Sequence, residues 1–332
     1  MSRFTKFILA LLMSVLPLLS GSAGGYAAES SAAKQRDYVI PCGTPFGIKV
    51  KSEGVMVIET AGNSPAEKAG IKPGDVVTSV NGRTVTTNRE IACAIQLEES
   101  ETQIVIKRNS DEIKLSALPE NIGGTLKLGM WVRDSAAGIG TLTFYDPDSG
   151  GFGGLGHAVN DVTTGETVPL RIGEITDAEI YDVVKGKEGC AGELCGTITA
   201  NSDIGTLSEN TEAGVFGKLD EPVNGKAIPV AYRQEIHTGP AKILATIDEN
   251  GAQEYDIEIL RMNFFDPEGS KGMLIRITDS KLLEKTGGIV KGMSGSPIIQ
   301  DGMLAGAVTH VLVNDPSCGY AIPAESMMKH IS

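Results

Sequence analysis

The sequence is short of the residue types that most often carry chemistry. Its 332 residues include only four histidines and five cysteines, and aromatics make up 5%. Five cysteines are too few for a disulfide scaffold, and an odd number leaves at least one without an intrachain partner. Cys190 and Cys195 flank Ala-Gly-Glu-Leu in a glycine-bordered loop, where a local disulfide and two free thiols are both open. No second pair and no nearby histidine makes them a zinc site, and no metal or cofactor is implied elsewhere. Cations are also scarce: 29 Lys and Arg stand against 42 Asp and Glu, a formal charge of −13. Such a surface repels phosphate backbones, which argues against nucleic acid as a partner. There is no internal repeat and no low-complexity tract. After the N-terminus no apolar run is long enough to span a bilayer.

Glycine, by contrast, is abundant: 41 residues, well above the usual share of about 7%. The glycines follow no Gly-X-Y period and sit among 41% hydrophobic residues, which excludes collagen and simple disorder. The pattern is that of many turns between short strands, in a chain long enough for two domains. The N-terminus is a targeting segment over 1–28. Arg3 and Lys6 precede the apolar run Phe7–Leu19, and small residues follow to Ala28, the layout of a secretory signal or of an uncleaved anchor. Either places the bulk of the protein outside the cytoplasm. Residues 29–40 are polar and read as a linker.

From 41 to 119 the pattern is mixed α and β. Asn63 or Ser64 caps a short helix with Pro65 in its first turn and Gly70 at its end. Val76–Val80 reads as a strand closed by the hairpin turn Asn81-Gly82. Thr87 or Asn88 caps a helix running to Gln96, and strands follow at 103–107 and 112–118. This stretch, above all NSPAEKAGIKPGDVVTSVNG at 63–82, resembles a PDZ domain of the bacterial peptidase-associated type. The resemblance implies that Phe46, Gly47 and Ile48 belong to the loop whose backbone N–H groups receive a peptide carboxylate. It also implies that Ile91 and Ile95, one helical turn apart, form the other groove wall. The same residues serve equally well as core beside an unused groove.

From Ile122 onward the texture is mainly β, with short strands separated by Gly, Asp and Asn. They are expected at 125–131, 138–145, 166–170, 229–236, 241–247, 254–260, 272–277 and 303–313, in sandwich or barrel sheets. Helical periods are nearly absent until 323–331. Within this region Gly292-Met293-Ser294-Gly295-Ser296-Pro297 is the sharpest motif. A nucleophilic serine needs a protruding hydroxyl, two N–H groups converging on the oxyanion and a base within reach. Gly292 lets the turn aim its own amide and that of Ser294 at one point, and Gly295 removes bulk. Pro297 after it makes Ser296 the weaker nucleophile. His157 follows five glycines within seven positions and reads as the general base. His310 competes as base but reads as pocket lining, and His237 and His330 read as surface residues. The orienting acid is expected at Asp279, with Asp266 and Asp248 as substitutes and Asp161 too near His157 in sequence.

GIGTLTFYDP at 138–147, GLGHAVND at 154–161, GIVKGMSGSPIIQDG at 288–302 and GAVTHVLVNDPSCGYAIP at 306–323 together resemble the stage IV sporulation protein B (SpoIVB) family of serine peptidases. The domain order agrees with that family: targeting segment, PDZ domain at 41–119, peptidase domain at 120–332. The resemblance implies a trypsin-like double β-barrel, with His157 as base, Asp279 as acid and Ser294 as nucleophile. It further implies self-cleavage, and a PDZ groove that binds a peptide segment either in trans or in the chain's own N-terminal region. Cleavage of a membrane-associated regulator of an intramembrane protease would follow, in the space between forespore and mother-cell membranes. Met293 stands where digestive trypsin-like enzymes carry aspartate, so activation by an ion pair to a new N-terminus is not available. A PDZ adaptor fused to an inactive barrel, and a general envelope quality-control protease, are the alternatives.

Overall fold

The computed structural model describes residues 36–96, 100–109, 111–263 and 269–331. The targeting segment at 1–28 and most of the linker lie outside the described residues. Asp37 to the C-terminus forms one compact unit. Strands β1 (Tyr38–Pro41) and β2 (Pro45–Thr60) lead into helix α1 (Pro65–Lys68), β3 (Val76–Val80), β4 (Arg83–Thr84) and helix α2 (Asn88–Gln96). Next come β5 (Thr102–Arg108), β6 (Asp111–Ala117), β7 (Glu120–Ile122), β8 (Thr125–Lys127) and the long β9 (Met130–Tyr145). Strands β10 (Gly151–Gly154), β11 (Leu170–Val184), β12 (Glu193–Thr211), β13 (Gly214–Leu219) and β14 (Ile228–Pro229) follow. The chain ends with β15 (Gly239–Thr246), β16 (Ala252–Met262), β17 (Met273–Ile277), helix α3 (Ser280–Thr286), β18 (Pro297–Gln300), β19 (Met303–Val311), β20 (Cys318–Pro323) and helix α4 (Ala324–Met328).

Two six-stranded barrels result. In the first, β2, β9, β10, β13, β12 and β11 pair in a ring that closes where Ile48 of β2 meets Ile175 of β11. Alternation aims Phe46, Ile48 and Val50 inward against Phe152, Ile175 and Val215. The second ring runs β15–β16–β17–β20–β19–β18, closed by Ile243 against Ile298. There Tyr255, Ile257 and Ile259 point inward while Asp256 and Glu258 take the other face. The mainly β, double-barrel architecture of a trypsin-like peptidase is therefore present, with a PDZ-type unit attached.

That unit is not a bead preceding the barrels. It is inserted between the first two strands of the first barrel, and both strands are shared. The first half of β2 pairs with Ser135–Thr141 of β9 inside the barrel; the second half, Met56–Thr60, pairs with Met130–Arg133. The insert adds β3, β5 and β6 to that sheet and closes it with α1 and α2 over a core of Val55, Val57, Val77, Ile91 and Ile104. Both helices start as their sequences dictate. Ser64 Oγ accepts from Glu67 N at 3.2 Å, with Pro65 next. Thr87 and Glu90 cap each other's backbone N–H groups, a capping box for α2.

The placement of Phe46, Gly47 and Ile48 in a carboxylate-binding loop is thereby corrected. All three lie within β2, paired on one side with β9 and on the other with β11. The side chains of Phe46 and Ile48 are barrel core, so no backbone N–H is left for a ligand. A boundary near residue 119 does not divide the fold either, since β2 and β9 each cross from one unit into the other.

Candidate active site

Ser294 sits in the turn between Lys291 and β18, where the two barrels meet. Gly292 and Gly295 both have φ of +96°, a region that side chains rarely enter. Three bonds from β9 of the first barrel hold this turn. Thr141 Oγ1 donates to Gly292 O at 2.8 Å, Thr141 N to Ser294 O at 3.0 Å and Thr143 Oγ1 to Gly295 O at 2.7 Å. From the second barrel, Val308 O accepts from Gly295 N at 2.7 Å. The N–H groups of Gly292 and Ser294 donate to no acceptor among the described residues. Pinned, paired donors of this kind are what an oxyanion requires. Ser294 Oγ donates to Thr309 O at 2.7 Å. Ser296 is fully buried with its hydroxyl unpartnered, which removes it as a nucleophile.

His157 follows β10 on a tight bend in which Leu155 itself has φ of +64°. A Cβ on Gly295 would lie 2.6 Å from Leu155 N, so the serine turn and the histidine loop are in direct backbone contact. His157 and Ser294 line one cleft of about 530 Å³, with Ile139, Leu155, Asp161 and Lys291 among its walls. His157 Nδ1 lies 2.8 Å from Ala158 O; that contact puts the proton on Nδ1 and leaves Nε2 as the basic nitrogen. Burial pushes the imidazole below its ordinary value, against the Ala158 bond and the Glu212 charge. The His310 ring stands 5.0 Å from that of His157. Partial desolvation, the repulsion His310 would meet from a protonated His157 and the charge of Lys271 hold His310 down to about 4. Both rings are therefore neutral at neutral pH.

Asp279 is not brought to His157. Leu274 is level with Tyr320 and His310 across three strands, and Asp279 lies five residues beyond Leu274, about 16 Å at ~3.3 Å per residue. Its carboxylate caps α3, with Oδ1 accepting from Lys281 N at 2.9 Å and Leu282 N at 3.0 Å. The Asp279→Ala protein should lose about 1 kcal/mol of stability through this cap, read as a lower urea midpoint at unchanged slope. Asp248 pairs with Lys285, away from the cleft, and Asp266 lies outside the described residues. The acidic charge acting on His157 is Glu212, in the turn from β12 to β13. His237 bonds Asp301, and His330 bonds Glu209 and stacks on Phe216.

Several supporting residues carry no motif. Asn210 of β12 clamps the histidine loop: its Oδ1 accepts from Val159 N at 2.8 Å, and its Nδ2 donates to Val159 O and Val168 O. Buried Asp161 pairs with Arg133 and accepts from Thr163 and Thr164 N–H groups. Burial raises the Asp161 carboxyl, but those partners outweigh it and hold it below the ordinary carboxylate range. The cysteines all carry free thiols, and no group of His, Cys, Asp and Glu among the described residues could hold a metal.

A second concavity, about 800 Å³, lies between α2 and the start of β9. Ile91 and Ile95 are buried and line it, as expected of a groove wall, but the facing wall is Met130–Val132. The N–H groups of Leu128 and Gly129, just before β9, make no hydrogen bond among the described residues. Two N–H groups without a partner among the described residues therefore stand at 128–129 in the groove lining, which is what a carboxylate-receiving position requires.

Two family profiles match the chain: SpoIVB peptidase S55 over residues 124–328 and PDZ domain over 57–108. The chain belongs to the SpoIVB peptidase S55 family. Serine protease HTRA1 of Xenopus laevis is 38% identical over 71 residues, which are 21% of this chain and 15% of that one. A probable periplasmic serine endoprotease, DegP-like, of Brucella suis is 29% identical over 216 residues, 56% of this chain and 41% of that one. This S55 chain thus spans well under half the length of these relatives. The PDZ domain of the SdrC-like protein of Listeria monocytogenes, 21% identical, covers 26% of this chain and 93% of its own with a TM-score of 0.24.

Proposed function

We infer that this S55 family member is a serine endopeptidase, on one observation above all: a hydroxyl on a pinned turn, with two unengaged N–H groups beside it, in the cleft that holds a neutral imidazole. Ser294 Oγ leaves Thr309 O, gives its proton to His157 Nε2 and attacks a peptide carbonyl. The N–H groups of Gly292 and Ser294 take the oxyanion. Ala158 O steadies the imidazolium through Nδ1–H, and His157 returns the proton to the leaving amine. Water then hydrolyses the acyl-enzyme by the same route in reverse. The basic-then-apolar N-terminus supports export or membrane attachment. Family membership supports a role in sporulation signalling: self-cleavage, then cleavage of a membrane-associated regulator of an intramembrane protease.

Mass spectrometry of the wild type beside Ser294→Ala, each treated with a fluorophosphonate, tests this. Labelling at Ser294 and serine-dependent cleavage are expected. Neither occurring would favour a PDZ adaptor with an inactive barrel, which the Ser294–Thr309 bond and the lack of a carboxylate bonded to His157 among the described residues also favour.

The acid limb of kcat/KM should lie below 6.5, because burial lowers the pKa of the base and its neutral form survives to lower pH. The same sign applies to stability. The unfolded histidines take up protons first as pH falls, so stability contributed by neutral His157 and His310 is full above about 6.5 and declines below it. A pH–rate profile and urea midpoints between pH 4 and 8 check both.

A further inference from the structure

The two concavities share one strand. Over residues 130–139 β9 is paired with β2 alone, so its second edge has no strand neighbour among the described residues. Met130–Val132 of that stretch line the groove beside α2, Ser135 and Ala137–Ile139 line the catalytic cleft, and Arg133 joins them. A Cβ built on Gly138 would meet nothing within 4 Å, so the face of the strand is also clear there. At its far end Thr141 N bonds Ser294 O, which brings the strand directly to the nucleophile.

Polarity decides what can lie there. A peptide whose carboxylate rests on the N–H groups of Leu128 and Gly129 must run antiparallel to β9 if it adds as a strand beside Met130–Val132. Its upstream residues then point along the same edge toward Ser294. They arrive on the side of the leaving amine, because they follow the scissile bond in sequence. The apolar groove, with Trp131 57% exposed at its rim, suits apolar terminal residues. Lys127 beside the free amides suits a carboxylate. One contact crosses the path: Asn88 N donates to Asp134 Oδ2 at 2.9 Å, between exposed groups, and it must open as the peptide enters.

We propose that one extended peptide occupies both sites, with its free C-terminus in the groove between α2 and β9 and the bond to be cut about ten residues upstream, at Ser294. The spacing is set by β9 itself, since Met130 to Thr141 spans about 35–37 Å of extended chain. The substrates are accordingly flexible C-terminal tails that end in apolar residues, and the strand acts as a ruler. The proposal rests on the endopeptidase function inferred above.

The test uses the full chain and a mixture of 20-residue peptides of randomised sequence with apolar C-termini, made once as free acids and once as amides. Products are read by mass spectrometry and active sites are counted by fluorophosphonate labelling. Expected is a cluster of cuts 8–12 residues from the free C-terminus, with kcat/KM lowered about tenfold or more by amidation. Trp131→Ala should broaden the cluster. Protein that labels at Ser294 but cuts without regard to distance from the C-terminus, or cuts acids and amides equally, overturns the ruler and leaves the peptidase standing. Protein that neither labels nor cuts overturns both.

Discussion

Ser294→Ala protein is expected to hydrolyse peptides at least about 10⁴-fold more slowly than wild type, with its fold intact. The magnitude follows from what the hydroxyl does and what remains without it. The two N–H groups of the turn and the substrate cleft persist, so some acceleration over water survives, but no acyl-enzyme forms. The fold is spared because, among the described residues, Oγ makes a single hydrogen bond, to Thr309 O. Its removal from a half-buried site costs about 1 kcal/mol. Steady-state hydrolysis of a peptide substrate and a urea melt of the same preparation separate the two effects. Activity within tenfold of wild type would remove Ser294 from the chemistry.

The second large effect is on stability. Gly295→Ala should destabilise the protein by about 2–5 kcal/mol, enough to reduce its soluble yield. An added Cβ would stand 2.0 Å from Thr141 O and 2.6 Å from Leu155 N, both backbone atoms that no rotamer change can move. The turn cannot slide away, because Gly295 N and O are each bonded at 2.7 Å to opposite barrels. The control is Gly302→Ala. There φ is +76° but nothing lies within 4 Å of the new methyl, so only the conformational strain, about 1 kcal/mol, is paid. If the two variants melt together, the serine turn and the histidine loop are not packed as described.

Much of this site was readable because glycine is expensive to place and easy to see. The runs before His157 and around Ser294 mark backbone contacts that exclude a side chain, and the caps at Ser64 and Thr87 are local rules obeyed locally. The acid was another matter. Asp279 precedes Ser-Lys-Leu-Leu-Glu-Lys-Thr-Gly, which itself spells a capped helix with a C-terminal glycine, and that local role is the one it takes. Strands β11 and β12 escaped notice because their alternation is interrupted by bulges and by acidic residues on the outer face. The placement of Phe46 failed for a topological reason. Residue patterns do not change where β2 passes from barrel to insert, so linear order implied two beads where the chain weaves one into the other.

That insertion also governs how the molecule is made. The first barrel closes only when β9 finds β2, and roughly 70 residues lie between them. As a slack loop, that segment would carry a closure penalty that grows as (3/2)RT ln n; as a folded insert, it delivers β9 already aligned, through Met130–Arg133 against Met56–Thr60. Assembly of the nucleophile's surroundings is therefore coupled to the inserted unit. A peptidase freed of that unit would have to be built by joining Lys51 to Ser135 through a tight hairpin, because trimming the chain from its beginning would take a barrel strand away with it.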